Sequence, residues 1–204
     1  MHGSCQALKE TSMNNKVILT VIALIALLSS CNQNYTRQDF DLGGLNATIT
    51  LPGYYKNVET LDINSIIKNK ELEYFKKDLI KFIAQNPEDV FIIDTINPMN
   101  FIFISQIEPY VKIDSMLYYR IIMKEDDYMK SRKESDSVFY YGSKMGKIGN
   151  LEFIESKYRN NDILNRQRFT YGFILSSEQN STGITFSTTE EDNIADYLNT
   201  IKEK

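Results

Sequence analysis

The chain has 204 residues, 42% hydrophobic and 25% charged, with a formal net charge of -4. That composition excludes a disordered or fibrous chain. The mildly acidic balance, without a basic stripe, excludes the electrostatic footprint of a nucleic-acid binder.

In chain order, the opening twelve residues, MHGSCQALKETS, look out of place before a signal sequence and read as an upstream extension, residues 1–12. A signal peptide over residues 13–30 then begins at Met13. Lys16 supplies its positive start and Val17–Leu28 its apolar run. A membrane-spanning helix needs about 20 apolar residues, so this run is too short to cross. It has the length of a secretory core, about 7–15 residues. The run ends in Leu28-Ser29-Ser30-Cys31. This resembles the lipobox of bacterial lipoproteins: an aliphatic residue, two small ones, then a Cys. The resemblance implies a diacylated Cys31 sulfur, cleavage before Cys31 and acylation of the new amine. Several acyl chains, each contributing about 0.8 kcal/mol per buried CH₂, would hold the protein on a membrane. The competing readings are a plain secretory signal with an incidental Cys, or an apolar helix of the fold. Asn32, where an Asp often retains lipoproteins at the inner membrane, points to the outer membrane facing the periplasm.

Removing the signal also removes His2 and Cys5, the lone His and the only other Cys. Ser-His-Asp and Cys-His relays are then impossible, as are zinc sites built from His and Cys. No disulfide can form, so stability must come from a packed core. Carboxylates, Lys, Tyr, Ser and Thr remain, and no spacing among them defines a catalytic set. No catalytic residue, metal or cofactor is therefore assigned.

Residues 31–39 are polar and read as a tether to a single α/β domain over 40–204. Leu45, Ala47, Ile49 and Leu51 alternate with polar residues, as in a half-buried strand ended by Pro52-Gly53. Residues 64–85 have the helical spacing of Leu72, Phe75, Leu79 and Ile83. VFIIDTI (90–96) and FIFISQI (101–107) are apolar at odd and even positions, so they read as a central hairpin covered on both faces. Asp114 or Ser115 starts a helix to about Lys130. Four strand-like runs come next, at 137–145, 150–159, 164–176 and 182–188. Thr189 is then placed to cap a last helix with Ile194, Leu198 and Ile201 inside. The fold class is α+β: a mostly antiparallel sheet of about six strands flanked by two or three helices.

The segments DLGGLNATITLPGYYKNV and TGITFSTTEEDNIADYLNTI resemble the opening and close of the PsbP-like superfamily. That resemblance implies an α/β/α sandwich and a binding role. None of the family's functional residues can be matched.

Four cations flank a predicted Asn-Asn-Asp turn: Lys157, Arg159, Arg166 and Arg168. Gathered at one hairpin tip they would suit an anionic partner, a lipid phosphate or a glycan. Spread in solvent they would pair with Glu152, Glu155 or Asp162. The runs Glu125-Asp126-Asp127 and Glu190-Glu191-Asp192 lack the alternating ligands and Gly turn of a calcium loop. Three tyrosine doublets, 54–55, 118–119 and 140–141, read as a glycan or peptide platform or as sheet packing. Ser137, Ser115 and Thr95 each follow an Asp and precede an aliphatic residue or Met, the pattern of a periplasmic O-glycosylation acceptor. Three functions stay open: a non-catalytic envelope lipoprotein with an envelope protein or glycan partner; a periplasmic enzyme using carboxylate, Tyr or Lys chemistry; and an inhibitor or immunity-type lipoprotein.

Overall fold

The computed structural model describes residues 36–131, 138–161, 166–191 and 194–204, and Arg37–Lys204 form one unit. The first half holds β1 (Arg37–Asp41), β2 (Ala47–Pro52), β3 (Tyr55–Asn57), α1 (Ile63–Ile66), α2 (Glu73–Gln85), β4 (Val90–Asp94) and β5 (Phe101–Ile107). The second holds α3 (Ser115–Ser131), β6 (Phe139–Ile148), β7 (Leu151–Asn161), β8 (Gln167–Ser176), β9 (Ser181–Thr188), α4 (Ile194–Leu198) and β10 (Lys202–Glu203). The protein is a mixed α+β fold of two antiparallel sheets. One has seven strands in the order β3-β4-β5-β9-β8-β7-β6; the other has three, β1-β2-β10.

The period-2 pattern of β2 is real: Ala47, Ile49 and Leu51 are fully buried and the residues between them half-buried. They meet Phe173, Leu175, Ile184 and Phe186 of the large sheet, which we define as its front face. Ile194, Leu198 and Ile201 of the last turns complete that core. The opening Leu-Gly-Gly has a backbone reason. Gly43 sits at φ 66, a left-handed turn that favours glycine. It delivers the Leu42 carbonyl to the Thr182 hydroxyl, which donates to it at 2.7 Å.

The run VFIID is apolar until its last residue because both faces of β4 are covered. Ile92 faces the front core, while Phe91 and Ile93 join Leu79 and Met99 in a second cluster behind the sheet. α2 lays Phe75, Leu79 and Ile83 over that back face. At the other end of the sheet α3 is fastened to β6 through Tyr118, whose hydroxyl donates to the Ser143 carbonyl at 2.7 Å.

Three expectations need revision. Residues 37–39, expected in a tether over 31–39, belong to β1, since Arg37–Asp41 pairs with β2. The helix over 64–85 is broken: Asp62 caps α1, and Asn69 caps a separate 3₁₀ turn at Lys70–Leu72 that leads into α2. Two capping side chains offer the backbone two starts, and Ile67, 2% exposed, is buried between them. Thr189 does not cap α4, because its amide and hydroxyl both bond Asn100 Oδ1. The mostly antiparallel α+β class holds, the large sheet having seven strands among the described residues where about six were expected.

Ile49→Ala in the centre of the front core is expected to cost about 2–5 kcal/mol, read from the midpoint of urea unfolding.

Candidate functional site

The register between β7 and β8 places the four cations. Arg159 lies opposite Phe169, and Lys157 opposite Tyr171, so both face front. Arg168 lies opposite Asn160 and faces back. The four do not gather at one tip, because strand neighbours alternate between faces. Arg166 stands exposed just before β8.

At the front, Lys157 is ion-paired to Glu191 and lies 5.2 Å from the Tyr141 and Tyr171 ring centres. Partial burial opposes its charge, but the Glu191 and Tyr171 contacts outweigh that and raise its pKa above the usual lysine value. The Arg159 guanidinium stacks 4.3 Å over Phe139 and 5.8 Å from Tyr141. Both rings are about half exposed: Phe139 51% and Tyr141 52%. Two expected partners of the cations are engaged elsewhere on the same hairpin. Glu155 pairs with Lys144 at 2.6 Å and Glu152 with Lys147 at 3.0 Å.

At the back, Arg168 is a structural cation, 6% exposed. It donates at 2.6 Å to both the Met99 carbonyl and Ser187 Oγ, and its head lies 5.2 Å from the Phe101 ring. Beside it, two hollows adjoin between α2 and α3 and share Asn160 and Thr170 as a common wall. One measures about 600 Å³ and reaches Glu125, Tyr128 and Tyr158; the other, about 390 Å³, reaches Tyr74, Asp78 and Ser187. The floor is small and hydroxylated: Thr170, Thr185 and Ser187, with Gly172 on the same face. Among the described residues, no atom beyond its two chain neighbours lies within 4 Å of where a Gly172 side chain would begin. Asn160 Oδ1 is shut from solvent and has no hydrogen-bond partner among the described residues. An unpaired buried acceptor is costly, and a donor brought by a ligand would relieve it.

Burial, reinforced by the neighbouring Glu125 carboxylate, pushes the Tyr158 phenol far above the ordinary tyrosine range. It therefore stays protonated at neutral pH and serves as a hydrogen-bonding group rather than a base. Under α3, Tyr140 Oη meets Ser143 Oγ at 2.6 Å, and Ser143 Oγ meets Ser156 Oγ at 2.6 Å. The doublets divide by face: Tyr140 stacks near Tyr158 at the back while Tyr141 stands at the front. Tyr118 is held against β6, while Tyr119 is 62% exposed. Tyr55 is buried in the front core with Tyr54 packed beside it.

Ser115 is exposed at the first position of α3. Thr95 is also exposed, one residue beyond β4 rather than inside a central strand, and its hydroxyl donates to the Tyr54 carbonyl at 2.8 Å. Cys31, Ser137 and Asp162 lie outside the described residues. Among the described residues no three His, Cys, Asp or Glu side chains converge, and no helix is long and apolar enough to cross a membrane.

The groove escaped the sequence reading. Its signal was present in RFTYGFIL, where Thr170 and Gly172 interrupt an apolar run every second residue. Read at period 2, that run has one oily face and one small polar face.

No family model matches the chain, and no curated protein matches it. Solved structures similar to it include three. A Bacteroides thetaiotaomicron protein aligns at 10% identity and TM-score 0.44, over 78% of this chain and 45% of that one. The chain thus spans less than half of that protein's length. The Ran-binding protein Mog1p of Saccharomyces cerevisiae aligns at 8% identity and TM-score 0.44, over 83% of this chain and 96% of its own. The cyanobacterial PsbP of Synechocystis aligns at 12% identity and TM-score 0.45, over 85% and 95%.

Arg168→Met strands the Met99 carbonyl and Ser187 hydroxyl and is expected to cost about 1–3 kcal/mol in urea unfolding. Arg159→Met, at a half-buried front position, loses only its ring contacts and should cost no more than about 1 kcal/mol. Because the folded state raises the Tyr158 pKa, it keeps a proton that the unfolded state loses. That contribution to stability is whole below pH ~10 and is lost as pH rises towards the folded value. Thermal unfolding measured from pH 8 to 11 should show a changed alkaline slope in Tyr158→Phe: without this retained proton, the variant loses the part of the pH dependence that Tyr158 supplies.

Proposed function

We propose that this chain is a lipid-anchored cell-envelope lipoprotein with a PsbP-like sandwich and a non-catalytic binding or accessory role. Acyl chains on Cys31 tether it to the outer membrane, facing the periplasm. An envelope protein or glycan docks in the groove between α2 and α3. The observation that carries the binding role is Asn160 Oδ1, an enclosed acceptor without a donor among the described residues, beside a floor of small hydroxylated side chains. The shared wall of Asn160 and Thr170 suits an extended polar ligand that donates to Asn160 and rests against Tyr74 and Tyr128. The Tyr158 phenol, whose pKa burial raises, is a protonated hydrogen-bonding group on the groove wall. The lipid anchor rests on Leu28-Ser29-Ser30-Cys31 behind a short apolar run, and the superfamily on the Leu-Gly-Gly opening and the order of the elements.

Two experiments test this. Metabolic labelling with palmitate should mark the wild-type chain and leave Cys31→Ser unlabelled and released from the membrane fraction. Equal labelling and sedimentation of the two would overturn the anchor. Thr170→Trp fills the groove floor. Crosslinking in intact envelopes should recover a partner with wild type and lose it with Thr170→Trp, while the front-face Phe139→Ser retains it. Equal recovery with Thr170→Trp would overturn the groove as the site.

A further inference from the structure

We infer that the front-face strip of Phe139, Tyr141, Lys157 and Arg159 is a membrane-facing surface that rests on anionic lipid headgroups. This inference builds on the lipid anchor proposed above.

The first argument is where the chain enters the fold. Arg37 pairs with Pro52, and the turn after Pro52 leads straight into Tyr55, opposite Asp94. The Asp94–Phe101 turn sits beside Ser187, since Phe101 pairs with it. Thr188, the next residue, pairs with Phe169, which pairs with Arg159, which pairs with Phe139. The entry of the chain and the strip therefore lie at the same end of the large sheet, at opposite edges. With β1 beginning at Arg37, the link back to Cys31 is six residues long. That link reaches at most about 20 Å. Acyl chains so tied keep this end of the sheet near the bilayer.

The second argument is chemical. Phe139 and Tyr141 are half-exposed rings on an edge strand, flanked by cations. Aromatic rings with a polar margin settle at the headgroup level. Arg159 touches two rings and pairs with no carboxylate among the described residues, so its charge is available to a phosphate. Lys157 is shared with Glu191, and Lys144 below it with Glu155, so the attraction is modest and centred on Arg159. A weak surface of this kind orients a domain that the anchor already holds. The groove lies on the opposite face of the sheet, so headgroups under the strip do not fill it.

The chain contains no Trp, so Tyr141→Trp gives a single indole. The lipidated full chain carrying it is reconstituted on vesicles of phosphatidylethanolamine and phosphatidylglycerol containing brominated acyl chains. Tyr119→Trp on the exposed side of α3 is the control, and Phe139→Trp a second reporter. Flotation of the vesicles reports anchoring separately. The expected result is quenching of Tyr141→Trp about threefold or more above Tyr119→Trp, lost with Arg159→Glu or on phosphatidylcholine alone. Floating protein whose Tyr141→Trp and Phe139→Trp emission is no more quenched than the control overturns the surface and leaves the anchor standing. Wild-type chain that does not float overturns the anchor, and this inference with it.

Discussion

The structure depends on one constraint: β8 is pinned from its front face. Phe169, Tyr171, Phe173 and Leu175 are all buried and lock into the core under β2 and α4. Side chains alternate along a strand, so this fixes Arg168, Thr170, Gly172 and Ile174 at the back with no freedom to slip. A one-residue shift would bury Arg168 and Thr170 among the front-core side chains and expel four large apolar side chains. The same register carries across to β7, sending Lys157 and Arg159 forward and Tyr158 and Asn160 backward. The separation of a cationic aromatic strip from a hydroxylated groove is thus a consequence of core packing, set before any ligand is considered.

The two faces are stabilised differently, and their chemistry reflects it. The front core is apolar and closed at its centre, and becomes exposed only beyond Tyr171, towards the edge strand. β6 would offer an open edge to other chains, but a register shift between Tyr140 and Gly142, with Lys144 and Lys147 along it, blunts that hazard. The back face is apolar under α2 and again at Ile154, which is buried opposite Ile174. Elsewhere it depends on hydrogen bonds: Arg168 to Met99 and Ser187 beside the groove, and the Tyr140–Ser143–Ser156 chain under α3. Polar groups are tolerated there because they are paired. Asn160 Oδ1 has no partner among the described residues, and it falls in the shared wall of the groove.

Period 2 and period 3.6 made most elements legible in the sequence. The central hairpin at 90–107, the helix after Asp114 and the four long strands stand near their expected places because burial on one or both faces imprints itself on neighbouring residues. The misreadings share a cause. The helix over 64–85 broke because Asn69 capped locally, and Thr189 lost its capping role to Asn100, a residue 89 positions away. The four cations do not cluster because closeness in sequence across a turn is not closeness in space: each strand residue takes its own face. Glu152 and Glu155 went to Lys147 and Lys144 for the same reason: each acid pairs with the lysine opposite it across β6 and β7.

The sequence by itself determined the α+β class, the alternation of the strands and the confinement of the one His to position 2, since composition and periodicity are local properties. It also set the Leu-Ser-Ser-Cys signature on which the lipid anchor is proposed. Only the tertiary structure decided which cation is structural, which stands on the surface, and that a groove lies between α2 and α3. Those outcomes turn on strand register and on contacts between residues far apart in the chain. Such contacts exist only once the front core has chosen which face of each strand it will bury.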